Sequence, residues 1–381
     1  MLPSLETSMR ISKVKTTILT ATIDPEIMII SSLGAHRLSR YVLVEIHTDE
    51  AIVGLGEATT MPGWSGETPE GAVALIERYF SPELINRSPF DLEAIMKRFD
   101  EVVIDNNFVK AAVEMALLDI QGKKLNIPVY DLLGGRCRDT DIPVKFVVAA
   151  TEPDIAVRNA KRMMDTGFDT IKIKVGRGHL DDDVNRVRKI RETLGDDIRL
   201  TVDANGGWTV GDAIQTIRRL EPFNLICVEQ PVHRRDIRGM GRVRSSVGVP
   251  IMADESVFTM ADVLEVLHED AADIISVYPG KNGGILQSRQ IVKVAEAAGK
   301  VCHIGSNLEL EVGSAAMAHL AISTSNILSE RFPADIIGPL YHNERTTTEP
   351  FGVHGGIAKV PDGPGLGVKV DRELVARMAE R

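Results

Sequence analysis

Three short motifs each place a carboxylate directly after an apolar run: Val202-Asp203-Ala204-Asn205, Val228-Glu229-Gln230-Pro231 and Ala253-Asp254-Glu255. Their acidic residues stand 26 and then 25 residues apart. A single Asp closing a strand is ordinarily a helix N-cap or a surface group. Three of them in register, one repeat apart, point to a shared site. Carboxylates that converge repel one another unless a cation neutralises them, and an all-oxygen ligand set suits Mg²⁺ or Mn²⁺ better than zinc. One unit upstream lies Lys172-Ile173-Lys174-Val175-Gly176, where alternation puts both lysines on one face of a strand. An isolated strand lysine normally snorkels at an edge. Two that point inward are costly unless carboxylates or a metal-bound anion face them. A partly desolvated lysine beside a divalent cation is a usable base.

The elements that must position these groups form a repeat. Short apolar strands are predicted at Val144–Val148, Thr170–Lys174, Arg199–Asp203, Leu225–Glu229, Pro250–Asp254, Asp273–Tyr278, Lys300–Ile304 and Ile327–Glu330. Helical stretches such as Asp181–Leu194 and Ala261–Glu269 separate them. A period near 25 residues is one strand-loop-helix-loop unit, and eight such strands close a barrel whose active site lies at the strand C-termini. A doubly wound open sheet gives similar local signals, but no GxGxxG turn supports it. Before the repeat the texture differs: strands at Val14–Thr22, Leu38–His47 and Ile52–Glu57 precede a helix whose Val109, Ala112, Val113, Ala116, Leu117 and Ile120 share a face. The expected organisation is an α+β capping domain over residues 1–139, a modified TIM barrel of (β/α)7β type over 140–349, and a Gly- and Pro-rich segment, 350–381, that packs back on the capping domain.

Composition narrows the class. The chain has 381 residues, 44% hydrophobic and 26% charged, and a net charge of −10 without a basic block. That argues against nucleic acid or an anionic membrane as partner. Cys137, Cys227 and Cys302 are far apart and make no CxxC pair, which fits a reducing compartment. No signal-like apolar core opens the chain and no run of about 18 apolar residues occurs, so a soluble cytoplasmic protein is expected. Met9-Arg10-Ile11 would itself serve as a start, making residues 1–8 a dispensable extension.

The ordered set Lys-x-Lys, Asp-x-Asn, Glu-Gln-Pro and Ala-Asp-Glu resembles the enolase superfamily in its muconate-lactonizing subgroup. Gly56-Glu57-Ala58-Thr59-Thr60, Thr68-Pro69-Glu70-Gly71, Leu132–Arg138, Gly338-Pro339-Leu340 and Gly363-Pro364-Gly365-Leu366-Gly367 extend the likeness over nearly the whole chain. The resemblance implies that Asp203, Glu229 and Asp254 ligate Mg²⁺ or Mn²⁺, that Lys174 is the principal acid/base supported by Lys172, and that Asn205 sits beside the metal. It implies an enolate-like intermediate next to a substrate carboxylate, and a homo-oligomeric enzyme acting on a small-molecule carboxylate.

The sequence departs from that subgroup at the sixth strand. Counting back from Asn282-Gly283-Gly284, the usual third lysine is replaced by Tyr278, and Lys281 matches a different position three residues later. Racemases and epimerases need a base on each face of the α-carbon, and tyrosine is a poor base at neutral pH. A loop shift that brings Lys281 inward, or a Tyr278 that merely packs, are the alternatives. Ser306 and Asn307, before Leu308-Glu309, replace a Gly-Gly-Thr-type turn. His303 reads as structural rather than as a base. Substrate contacts are expected from Asn205, Tyr278, Lys281, Ser306, Glu309 and Trp64, with specificity set by the loops Asp24–His36 and Thr59–Glu67. Their apolar content suits a compact, partly hydrophobic acid. The leading expectation is a cycloisomerase-type isomerase or lyase on a small unsaturated (di)carboxylate. A syn dehydratase is second, an amino-acid or dipeptide epimerase third, and a non-catalytic metal-binding homologue last.

Overall fold

A computed structural model describes residues 9–380, so the extension expected over residues 1–8 lies outside the described residues. The chain opens with β1 (Ile11–Thr22), a small hairpin of β2 (Ile30–Ser31) and β3 (Gly34–Ala35), then β4 (Leu38–Thr48) and β5 (Val53–Ala58). β1, β4 and β5 form an antiparallel sheet in that order. Helix Asn107–Leu125 packs on it and is buried on all sides from Phe108 to Gly122, not on one stripe. Its place between that sheet and the elements around Gly280–Leu286 explains this. The approach to β5 is so close that a Cβ on Gly56 would lie 1.7 Å from the Ala112 carbonyl oxygen. Only glycine lets backbones meet this way.

β6 (Asp141–Pro143) leads into seven parallel strands that follow chain order: β7 (Phe146–Val148), β8 (Thr170–Lys174), β9 (Arg199–Asp203), β10 (Leu225–Glu229), β11 (Ile251–Ala253), β12 (Ile274–Val277) and β13 (Val301–Ile304). Their side chains are buried almost throughout, as expected of parallel strands covered by helices. This is the TIM-barrel-like fold read from the repeat. The eighth strand departs from expectation. Instead of a run over Ile327–Glu330, the chain makes one bridge from Ile327 to Cys302, turns through Leu328–Phe332, and makes another from Ala334 to Val144. Pro333 has no N–H to continue a ladder, so the closing segment is broken there.

The tail contributes β14 (Val353–His354) and β15 (Ile357–Lys359), and β15 pairs antiparallel with β6. Helix Arg372–Met378 follows, Ala379 bridges Leu19 of β1, and Glu380 accepts hydrogen bonds from Thr20 and Arg40. The tail thus touches the first strand of the capping sheet.

Candidate active site

Register brings the charged residues together. Lys174 is paired with Asp203, and Asp203 with Glu229, across β8, β9 and β10, while Asp254 stands one residue past β11. Two loop residues beside these carboxylates, Asn205 (φ +43°) and Gln230 (φ +36°), adopt left-handed backbone conformations. Such strain persists only where the surroundings hold it. Buried Gln230 shows how: its Oε1 accepts from the Asp254 and Ser256 N–H groups at 3.0 and 3.2 Å, and its Nε2 donates to Ser256 Oγ at 2.7 Å. The Glu-Gln-Pro motif therefore fixes the loop that carries Asp254.

Each carboxylate faces a lysine. Lys174 Nζ donates to Asp203 Oδ2 at 2.6 Å and Asn205 Oδ1 at 2.9 Å. Lys172 Nζ lies 2.8 Å from Glu229 Oε2 and 2.7 Å from Asp335 Oδ2. Lys281 Nζ donates to Asp254 Oδ1 at 2.7 Å and to the Asp254 and Ser276 carbonyls. With the side chains so turned, no three His, Cys, Asp or Glu groups among the described residues meet closely enough to grip a metal ion. Burial would raise the Asp203 pKa, but the Lys174 and Lys172 ammoniums outweigh it and hold the carboxyl low. Glu229 is pushed up to about 8 by burial, against Lys172 and with repulsion from Asp203, Asp254 and Asp335. Burial, with Asp254 and Asp203 nearby, raises Glu255 to about 7. Lys172 is held charged well above its usual range because Asp335, Glu229 and Asp203 outweigh its burial.

These groups open on a cavity of about 110 Å³. Lys172, Lys174, Asp203, Glu229 and Asp254 line it, as do the predicted contacts Trp64, Asn205 and Ser306. Ile29, Leu33, Met61, Leu308 and Ile337 make its apolar wall. Both predicted specificity loops therefore reach it. A larger groove, about 990 Å³ between helices Leu92–Val102 and Ile285–Ala297, contains none of the residues expected at the site.

Three predicted contacts lie elsewhere. Glu309 turns inward to accept from Ser306 Oγ and the Asn307 N–H, because the turn after β13 needs an acceptor for its own donors. Lys281 is fully buried, and its donors are taken up by Asp254 and Ser276, so no loop shift brings it to the cavity. Tyr278 is also fully buried, against the Trp64 ring and with Lys281 Nζ 4.8 Å from its own ring centre. Its hydroxyl has no partner among the described residues. Burial and the carboxylates Asp254, Glu309 and Glu255 raise its pKa well above the phenol range, so it holds its proton. Removing an unsatisfied hydroxyl restores lost solvation without breaking a bond. Tyr278→Phe is accordingly expected to keep full turnover and to gain about 1 kcal/mol in urea unfolding. A loss of turnover beyond a few-fold would show that the phenol takes part.

Sequence reasoning missed Lys145 and Asp335. Asp335, on the broken closing segment, sits 2.7 Å from Lys172 and 3.1 Å from Lys145. His303 is fully buried with Nε2 2.5 Å from Lys145 Nζ and its pKa well below the usual range, mainly through burial and then Lys145. That agrees with a structural histidine.

The Enolase C-terminal domain-like family matches residues 156–374, and the N-terminal domain of the mandelate racemase / muconate lactonizing enzyme family matches residues 13–134. A hydrophobic dipeptide epimerase of Enterococcus faecalis is 38% identical over 78% of this chain and 83% of its own. Muconate cycloisomerase 1 of Acinetobacter baylyi is 33% identical over 94% and 96%. The crystal structure of the Pseudomonas fluorescens muconate lactonizing enzyme complexed with muconolactone superposes with a TM-score of 0.93 at 32% identity, covering 97% of this chain and 99% of that one. The Enterococcus faecalis dipeptide epimerase complexed with Mg and L-Leu-L-Tyr gives 0.89 at 34% identity, covering 94% and 99%. With the barrel, the strand-end carboxylates and the lysine pair in place, the chain belongs to the mandelate racemase/muconate lactonizing enzyme family of the enolase superfamily, as a muconate-lactonizing-like enzyme.

Proposed function

We propose that the enzyme moves one proton, on one face, at the carbon α to the carboxylate of a small acid, with Lys174 as acid/base and Mg²⁺ or Mn²⁺ at Asp203, Glu229 and Asp254. The first reaction built on that step is a muconate-type cycloisomerisation of an unsaturated (di)carboxylate. One contrast carries the reading: Lys174 opens on the cavity, whereas the sixth-strand position carries a buried, protonated Tyr278. Two-faced chemistry lacks its second base.

The residues fit a hard cation. Asp203, Glu229 and Asp254 supply only oxygen ligands, no hydrogen bond among the described residues is aligned on Glu229 Oε2 although Lys172 Nζ lies 2.8 Å away, and the Glu229 carboxyl is pushed up by burial and then by its acidic neighbours. A divalent ion there would offset the negative charge that develops on the substrate carboxylate. Lys172, locked in the charged state by Asp335, would bind and orient that carboxylate. Lys174 would transfer the proton, its Nζ steered by Asn205. The apolar wall and Trp64 would exclude water.

Relatives include a dipeptide epimerase, but a free substrate ammonium would need an uncommitted carboxylate. Asp335 is engaged by Lys145 and Lys172, and the neighbouring Ile337 is apolar. A second reading, syn elimination from a β-hydroxy acid, uses the same lysine and gains support from His36 on the cavity wall. Cytoplasmic location and homo-oligomeric assembly belong to the same proposal; no helix among the described residues is long and apolar enough to cross a membrane.

Incubation with unsaturated diacids, β-hydroxy acids and N-acyl amino acids in D₂O with Mg²⁺ tests the reading. Lactone formation supports cycloisomerisation, and an α,β-unsaturated acid formed with loss of water from the β-hydroxy acid supports elimination. Deuterium exchange with inversion at the α-carbon would overturn one-sided transfer. Asp203→Asn is expected to weaken Mg²⁺ binding at least about tenfold by calorimetry, and unchanged affinity would redraw the ligand set.

A further inference from the structure

His36 follows β3, and its N–H closes the hairpin onto the Ile29 carbonyl at 2.9 Å. The side chain lines the 110 Å³ cavity and also an adjoining chamber of about 230 Å³. Its Nε2 lies 2.7 Å from Ser39 Oγ, and Ser39 Oγ lies 3.0 Å from His342 Nε2. His342 Nδ1 is 2.9 Å from the Gly338 carbonyl oxygen.

The direction of this chain follows from what each group can do. A carbonyl only accepts, so His342 Nδ1 carries a hydrogen. Burial lowers the His342 pKa to about 4, so the ring is neutral and its Nε2 is an acceptor. Tyr41 Oη, 2.9 Å away from that nitrogen, has one proton and lies closer, at 2.5 Å, to the Leu308 carbonyl. The shorter contact takes the Tyr41 proton. Ser39 Oγ also reaches the Tyr41 hydroxyl, but His342 Nε2 is the acceptor left without a donor, so the single Ser39 proton goes there and the Ser39 oxygen accepts from His36. His36 is thereby fixed with hydrogen on Nε2 and a lone pair on Nδ1. Burial also lowers the His36 pKa, which keeps the ring neutral. Nδ1 has no partner among the described residues.

We infer that His36 is a substrate-binding residue whose Nδ1 accepts a hydrogen bond from a hydroxyl or amide N–H of the substrate, and that Ser39 and His342 are positioning residues that set its tautomer. The inference rests on the proposed reading of the cavity as the catalytic site. Within the proposed one-sided chemistry it favours the second reaction over the first: the ionised second carboxylate of a muconate-type substrate offers only acceptors to Nδ1, whereas a β-hydroxy acid offers a donor, as does the amide of an N-acyl acid. The site then discriminates by the cost of leaving the acceptor unpaired.

Two measurements on the full chain with Mg²⁺ test it. Nitrogen-15 spectra of the histidine rings should show His36 as the Nε2–H tautomer, with a mixture of tautomers in Ser39→Ala. A protonated Nδ1 in the wild type overturns the inference. Calorimetry should show β-hydroxybutyrate binding at least about tenfold more tightly than butyrate. His36→Phe should erase that ratio and His36→Gln, which keeps an acceptor, should retain part of it. Equal binding of the two acids, or a ratio unchanged in His36→Phe, overturns it. Deuterium exchange at the α-carbon of the same acids separates the two failures. Exchange without discrimination removes only the role of His36; discrimination without exchange removes the proposed chemistry and leaves His36 as a binding group.

Discussion

Lys174→Ala should abolish deuterium exchange at the substrate α-carbon, lowering its rate by about 10³-fold or more, within the range a positioned acid/base contributes. The ammonium reaches both Asp203 and Asn205 and faces the cavity, whereas Lys172 beside it is held charged by Asp335, Glu229 and Asp203. Lys174→Arg is the sharper control. It keeps a cation beside Asp203, so the carboxylates stay compensated, but a guanidinium does not give up its proton near neutral pH. The arginine variant should therefore fold and bind Mg²⁺ while exchange is lost. Exchange at more than about a tenth of the wild-type rate in either variant would remove Lys174 from the reaction.

The largest effect on stability is expected from Asp335→Ala. Asp335 lies between Lys145 and Lys172, all three buried. Removing it leaves the Lys145 Nζ without a carboxylate and Lys172 with Glu229 and Asp203 alone, and breaking a buried pair typically costs about 3–5 kcal/mol. Burial would raise the Asp335 pKa, yet Lys145 and Lys172 override it and leave it far below the ordinary carboxylate range. A carboxyl whose folded pKa is depressed stabilises the fold above its unfolded pKa and loses that contribution as pH falls toward its folded value. The difference between wild type and variant in urea unfolding should thus be full at pH 7 and shrink only in strong acid. A loss below about 1 kcal/mol at pH 7 would show that the lysines find other partners.

The three acidic residues and the lysine pair were legible because they lie in or one residue past the end of unbroken strands, where a period near 25 residues translates directly into neighbouring positions on one rim. Asp335 was not legible for the complementary reason. Pro333 interrupts the closing strand, the apolar signal peaks early at Ile327, and the acidic residue falls beyond the predicted element. The Tyr278–Lys281 ambiguity needed three dimensions, since both residues sit at the end of β12 and only burial shows that neither reaches the cavity. Glu309 looked like a contact by adjacency to Ser306, but a turn's own N–H groups claim a nearby carboxylate first. His36 was legible only as the end of a predicted specificity loop, since its individual role lies in a tautomer imposed by His342, some three hundred residues later.

The bridge between Ala379 and Leu19, and the hydrogen bond from Thr20 to Glu380 across 360 residues, have a temporal meaning. As the chain grows from its N-terminus, β1, β4 and β5 can pair early, and each barrel unit can settle on the one before it. The edge of β1 stays open until the last stretch has been made. The sheet of β1, β4 and β5, with the β2–β3 hairpin inserted in it, is therefore locked only after the strand ends that carry Lys174, Asp203 and Glu229 have formed, an order that high sequence separation imposes on assembly. A nascent chain would hold its strand-end lysines and carboxylates beside a hairpin whose sheet is still unfastened, and activity should arrive late and all at once.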